Sequence, residues 1–147
     1  MLYVNKAAIE LFGCDDLEDF KKLTGYTFRG MLHPEDYAAV SNYIVEQIET
    51  NEDNMDYVEY RIIRKDGEVC WVDDYGHFTV TEAYGGVYYV FISDITEKRR
   101  RLEEERSLIE EEESAAKLAQ LMGSVASLLS NMPAMSFSKD AKYGRRL

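Results

Sequence analysis

The sequence predicts an α+β domain, with short helices gathered on one face of an antiparallel sheet and a long polar helix running on from the last strand. Three observations carry that prediction. From residue 6 to residue 50 apolar side chains recur at helical spacing. From 57 to 93 the period drops to two and is broken by two glycine turns. Finally, the strand-like "VYYVFIS" at 87–93 passes almost at once into arginine and glutamate.

In chain order, "LYVN" reads as a short strand ended by Asn5, whose side chain is placed to cap the helix "KAAIELFG". Ile9 and Phe12 face inward there, and Gly13 permits a left-handed stop. "DDLEDFKKLTG" repeats the pattern, with Leu17, Phe20 and Leu23 on one side and Gly25 as the break. In "HPEDYAAVSNYIVEQIE", Pro34 takes the first helical position and Glu35 and Asp36 sit against the positive end of the dipole. Val40, Tyr43, Ile44 and Ile48 supply its buried face. Then "YVEYRIIR", the turn "KDG", "EVCWVDDYGHFTVT", the turn "EAYGG" and "VYYVFIS" make a three-stranded meander. Val58, Tyr60 and Ile62 share one face, while Val69 and Trp71 alternate with Cys70 and Val72, so both faces of the sheet carry apolar residues.

From Asp94 a helix begins, capped by Asp94 or Thr96. It carries the pairs Arg99 with Glu103, Arg100 with Glu104 and Arg101 with Glu105, each worth ~0.3 kcal/mol. Its apolar seam is Ile95, Leu102 and Ile109 at intervals of seven, then Leu118, Leu121, Val125 and Leu128 at three and four. The two stretches differ in heptad phase, which requires a stutter within "EEEESAAK". A helix over residues 95–130 that pairs with a second copy is the expectation, and a lone solvated helix is the alternative.

The 147 residues hold one domain with a real core plus an appendage. At 46% hydrophobic and 12% aromatic the chain is not disordered, and no apolar run approaches the roughly 20 residues of a membrane span. A formal charge of −11 disfavours nucleic acid and anionic lipid as partners. Cys14 and Cys70 lack CxxC spacing and form neither a disulfide framework nor a zinc site, so reduced thiols in the cytoplasm are expected. No signal peptide is expected either, because "LYVNKAA" has no basic start or long apolar middle.

"LYVNKAAIELFGC", "HPEDY", "YRIIRKDGEVCWV" and "VYYVFISDITEKRR", in that order and spacing, resemble a PAS sensory domain of the bacterial kind found ahead of signalling enzymes. The resemblance runs from about Leu2 to Arg100. It implies a five-stranded antiparallel sheet in the order 2-1-5-4-3, with short helices on one face and any ligand held between sheet and helices. Asp94, Ile95 and Thr96 match the family's Asp-Ile-Thr junction, which ties the last strand to the outgoing helix and transmits the signal. The family's first strand should precede "LYVN", and nothing precedes it here, so a segment excised from a longer protein is expected. The organisation expected is a PAS domain lacking its first strand over 1–94, a helical signalling linker or coiled coil over 95–131, and the truncated start of a second PAS-like domain over 132–147. A 36-residue helix spans about 54 Å, too far for this tail to fill the gap in its own sheet. Residues Ala134 to Lys139 of a neighbouring chain are therefore expected beside Tyr3 and Tyr89, in a strand-exchanged homodimer.

Alternation together with the family's placement gives a ligand cavity lined by Phe12, Phe20, Phe28, Leu32, Tyr60, Ile62, Trp71, Phe78 and Phe91. A cavity filled by those same side chains is the alternative. Cys14 stands in "FGCDDLEDF", which lacks the signature of flavin-reactive relatives, and His33 precedes Pro34 at a helix start, which suits a turn better than a haem ligand. Haem and flavin are thus not expected, and the cofactor is unknown. His77 with His33 and Asp73 has no metal spacing, and Cys14 or Cys70 with His77 lacks the third group of a nucleophilic site.

The reading is a non-catalytic sensory module that relays ligand or partner binding through Asp94, Ile95 and Thr96 to a dimeric helix and a downstream diguanylate cyclase or histidine kinase. The helix pairs through Leu102, Ile109, Leu118, Leu121, Val125 and Leu128. A ligand-free dimerisation or protein-interaction module is the second reading, and a small hydrolase a distant third.

Overall fold

The computed structural model describes Met1 and residues 3–133, which divide into two compact units, with the boundary between Glu103 and Glu104. The first unit opens with four helices: α1 Lys6–Leu11, α2 Leu17–Thr24, α3 Phe28–Met31 and α4 Tyr37–Thr50. The strands β1 Met55–Ile63, β2 Val69–Thr81 and β3 Gly85–Asp94 follow, and α5 runs from Thr96 to Ser130.

Local chemistry sets most of these boundaries. Asn5 Oδ1 accepts from the Ala8 amide at 2.9 Å, Asp16 Oδ1 from the Asp19 amide at 2.9 Å, and Thr27 Oγ1 from the Gly30 amide at 3.0 Å, so α1, α2 and α3 each start on a side-chain cap. Gly25 ends α2 at φ 59°, the left-handed value that a Cβ disfavours. Helix α4 begins at Tyr37, three residues after Pro34, because Asp36 has a stronger partner than the helix amides. Its Oδ2 accepts from both the backbone N–H and Nε of Arg61, at 2.9 and 3.0 Å. Helix α3, which the sequence pattern does not announce, is a single turn that brings buried Met31 to the core.

The sheet is antiparallel in the order β1-β2-β3, with Tyr60 opposite Val72 and Val72 opposite Asp94. Among the described residues it has three strands of the five that the resemblance implies. Tyr3 and Val4 are not in a strand, contrary to the expectation for "LYVN": a strand exists only as a ladder, and no described segment pairs with this one. The two edges differ. Along β1, Gln47 brackets Tyr57, accepting from its N–H at 3.0 Å and donating to its carbonyl at 2.9 Å. The Arg61 N–H is taken by Asp36, and its carbonyl accepts from the His33 amide at 2.7 Å. That edge is closed by α4 and the turn before it. The outer edge of β3 has no strand beside it among the described residues.

The core lies between the sheet and α1 to α4. Phe12, Phe20, Tyr60, Ile62 and Val72 are fully buried there, and Phe12 and Phe20 meet edge to face with centroids 5.2 Å apart. On α4, Val40 is buried and Ile44 packs on the core, but Tyr43, expected inside, is exposed. None of α5 is buried within the chain, and no helix among the described residues is long and apolar enough to cross a membrane.

Candidate functional site

The strand-to-helix junction is assembled from β2, β3 and the first turn of α5. The β2–β3 ladder ends at Val72 opposite Asp94, yet the pairing continues one residue further through different groups. The Ile95 amide donates to the Trp71 carbonyl at 2.9 Å, and the Trp71 amide donates to Thr96 Oγ1 at 2.9 Å. The Thr96 hydroxyl donates back to the same carbonyl at 3.4 Å, and the Thr96 amide donates to Asp94 Oδ1 at 2.9 Å. Ile95 is buried beneath. The first residues of α5 are thereby fastened to the middle strand rather than only to the end of β3.

Beside that backbone clamp, two guanidinium groups approach the Trp71 ring. Arg99 of α5 stands 3.8 Å from the ring centroid and Arg61 of β1 stands 6.0 Å away. Arg99 also pairs with Glu59, whose carboxylate accepts from the Tyr57 hydroxyl at 2.7 Å. The Tyr57 hydrogen bond first, and Arg99 with it, holds Glu59 below the usual carboxylate range. Arg61 is held from its other side by Asp36 and Glu35. A continuous series of charged and aromatic contacts thus runs from the start of α4, across the outer face of the sheet, to α5. The expected pairing of Arg99 with Glu103 gives way to Glu59, a carboxylate already fixed in place. Glu97 takes Arg100 and Arg101 at 2.7 and 3.0 Å.

The opposite face of the sheet meets the helices. Its rows are Tyr60 with Val72, Val58 with Asp74 and Ile92, Asp56 with Gly76 and Val90, and then Phe78 with Tyr88. Two carboxylates therefore stand on the apolar side. The Tyr60 hydroxyl donates to Asp74 Oδ2 at 2.7 Å; burial pushes Asp74 up to about 6, against the downward pull of that bond. Burial likewise raises Asp56, whose Oδ2 has no hydrogen-bond partner among the described residues.

A family model described as the PAS fold matches residues 1–91. The chain belongs to the PAS family. Solved structures similar to this PAS domain include a sensory box histidine kinase/response regulator of Burkholderia thailandensis, at 26% identity over 65% of this chain and 78% of that one, with a TM-score of 0.45. Another is the N-terminal domain of a diguanylate cyclase with PAS/PAC sensor from Marinobacter aquaeolei, at 23% identity over 67% and 86%, again with a TM-score of 0.45. A comparison with curated proteins finds no match.

Of the nine residues expected around a PAS cavity, Phe12, Phe20, Leu32, Tyr60 and Ile62 come together in the core, with Phe28 packed on them and edge-on to Tyr60 at 6.1 Å. Phe78 is on the same face of the sheet but beside Tyr88, 5.1 Å away between ring centroids. Trp71 and Phe91 are not in this group. Register puts them with Arg61 and Tyr75 on the outer face, where Phe91 is 73% exposed. The reason is parity: Cys70, Val72 and Asp74 point to the helices, so the odd-numbered residues of β2 cannot. An apolar pattern alone does not pick out Asp56 and Asp74, although each shares the parity of Val58, Tyr60 and Val72, and acid at an inward strand position is itself a signal.

The remaining candidates separate. His33 accepts from the Glu35 amide at 3.3 Å in the turn before α4, and His77 is exposed on the outer face. No three His, Cys, Asp or Glu among the described residues gather so as to hold a metal. Burial pushes the thiols of Cys14 and Cys70 up, opposite to the shift of an activated nucleophile. On α5, Leu102, Ile109, Leu118, Leu121, Val125 and Leu128 are all exposed. The tail residues Ala134 to Lys139 lie outside the described residues.

Proposed function

We propose that this PAS domain is a non-catalytic, cytoplasmic sensory module that passes a binding event through Asp94, Ile95 and Thr96 to α5 and from there to an output enzyme, a diguanylate cyclase or a histidine kinase. The observation that carries the reading is the double attachment of α5 to Trp71. Bonds from the Trp71 backbone to the Ile95 amide and the Thr96 hydroxyl hold the start of the helix, and Arg99 stacks on the ring. A shift of β2 against its neighbours must move α5, because the helix is bonded to that strand. Dimerisation through the exposed seam of α5 supplies the second half of the relay, since six apolar side chains in water gain by covering one another. The open edge of β3 supports the accompanying proposal that a second copy adds its residues 134–139 there.

The test is backbone hydrogen exchange in the double variant Asp94→Ala, Thr96→Ala. Residues 90–105 should exchange faster while the helical core stays protected, and unchanged exchange there would end the relay reading. The packed interior around Phe12, Phe20, Tyr60 and Ile62 favours a second reading, a ligand-free assembly module. It predicts a dimer whose junction exchange responds to no small molecule.

A further inference from the structure

The inner face of the sheet carries a feature that packing does not account for. Asp56 and Asp74 are 4% and 2% exposed and stand diagonally across β1 and β2; the charge of Asp56 acts on Asp74, and both acids act on Tyr60. Among the described residues no lysine or arginine acts on either. Burying one carboxylate without a countercharge costs several kcal/mol, and burying two on neighbouring positions compounds the cost. A fold that only needed a filled core would place valine or isoleucine here.

The surroundings are specific. Gly76 lies between the two acids in the register, and the Asp56 carboxylate occupies the space that a side chain there would take, its Oδ2 only 2.4 Å from where a Cβ would sit. Asp56 Oδ2 is buried and has no hydrogen-bond partner among the described residues, Asp74 has one oxygen on Tyr60, and the Tyr60 oxygen keeps an acceptor position after donating. Beyond Gly76 the face continues to Phe78 and Tyr88, and the charge of Asp56 reaches Tyr88, which is half exposed. The patch therefore presents three acceptor groups, two carboxylates and a phenol, at its buried end and two aromatic rings toward solvent.

We propose that this corner of the inner face binds a small organic cation, a protonated primary amine carried on an apolar or aromatic body. An ammonium has three N–H donors, one for each of the three acceptor groups of the patch. Diagonal positions on one face of a sheet have Cβ atoms within about 7 Å, a span that one nitrogen bridges by charge-assisted bonds of ~2.8 Å to each carboxylate. The rings of Phe78 and Tyr88 receive the organic body, and their faces favour positive charge nearby. A metal ion is poorly matched, since two carboxylates and a neutral phenol leave its coordination unfilled. Anions are repelled both by the pair and by the net charge of −11. The inference rests on the sensory reading and gives it a ligand class.

Phenethylamine is the probe, with 2-phenylethanol and phenylacetate as neutral and anionic isosteres, titrated into the whole chain and followed by amide shifts. The amine should saturate and move the amides of Asp56, Asp74, Gly76 and Tyr88. The alcohol should bind at least about tenfold more weakly (1.4 kcal/mol) and phenylacetate not at all. Amine affinity should fall as pH drops through about 6, where Asp74 takes up a proton. Asp56→Asn should weaken the amine at least about tenfold without altering the alcohol. Equal binding of amine and alcohol, or full amine binding by Asp56→Asn, overturns the proposal; so does failure of both phenethylamine and putrescine to saturate by about 10 mM, an affinity of only ~3 kcal/mol. Should Asp56→Asn fail to fold, the isostere and pH comparisons on the unaltered chain decide alone. Absence of amine binding with the junction result intact removes the ligand class only. Amine binding without any change of exchange at 90–105 removes the relay and leaves the site.

Discussion

Replacing Asp74 by asparagine should stabilise this protein at neutral pH. Asp74 is almost wholly buried, and burial, aided by Asp56 and Asp73, moves its carboxyl from 3.8 to about 6 in spite of the Tyr60 hydrogen bond. The folded state thus holds the proton more tightly than the unfolded chain. Stability conferred by that proton is complete below about 4, declines as pH rises, and is gone above about 6. At 1.36 kcal/mol per decade the full loss is ~3 kcal/mol, about a third of it incurred by pH 4.5 and nearly all by pH 7.5. Asparagine cannot ionise, and its Oδ1 still accepts from Tyr60. The amide must still be oriented, so a net gain of about 1–3 kcal/mol at pH 7.5 is expected, shrinking toward pH 4.5. Urea unfolding read by the single tryptophan, Trp71, is the assay. With an m-value near ~1.5 kcal/mol/M, the midpoint should rise by about 1–2 M at pH 7.5. A variant less stable than the parent at pH 7.5, or a difference that does not change with pH, would refute the reasoning. The same substitution should weaken amine binding, so stability and ligand affinity would move in opposite directions.

Other perturbations probe different parts of the molecule. Gly30→Ala should lower stability by about 3 kcal/mol or more, because its Cβ would sit 1.8 Å from the carbonyl oxygen of buried Thr24; a melting temperature within a few degrees of the parent contradicts this. Arg99→Ala removes both the cation on Trp71 and the ion pair with Glu59, for a modest cost of about 1 kcal/mol; its distinctive effect should be a changed Trp71 emission and faster exchange at residues 95–103, and an unchanged spectrum counts against the clamp. Leu118→Glu with Leu121→Glu should convert a dimer to a monomer by light scattering with the sheet signal in circular dichroism retained, and an unaltered mass would dissociate α5 from assembly.

Much of this fold is written in short stretches. Asn5, Asp16 and Gly25 mark helix ends through bonds and dihedrals that involve only neighbouring residues, and "KDG" and "EAYGG" turn the chain because Gly67 and Gly85 accept positive φ. The change of period from 3.6 to 2 was enough to place the meander, and four motifs in order pointed to the family. Asp94, Ile95 and Thr96 were legible as a junction, but their grip on Trp71 was not, since it joins residues 25 positions apart.

What the sequence by itself determined is how each strand divides its residues into two faces, because successive side chains must alternate. It did not determine which face would be covered. Packing of α1 to α4 against the even-numbered residues decided that, sending Trp71 and Phe91 outward and Asp56 and Asp74 inward. Likewise the sequence offered Asp36 as an acid against the positive end of a helix dipole, and only the approach of Arg61 diverted its side chain to the edge of β1. Local geometry acts over a few bonds and can be read along the chain; burial and charge pairing act through space, and their outcome waits on which elements meet.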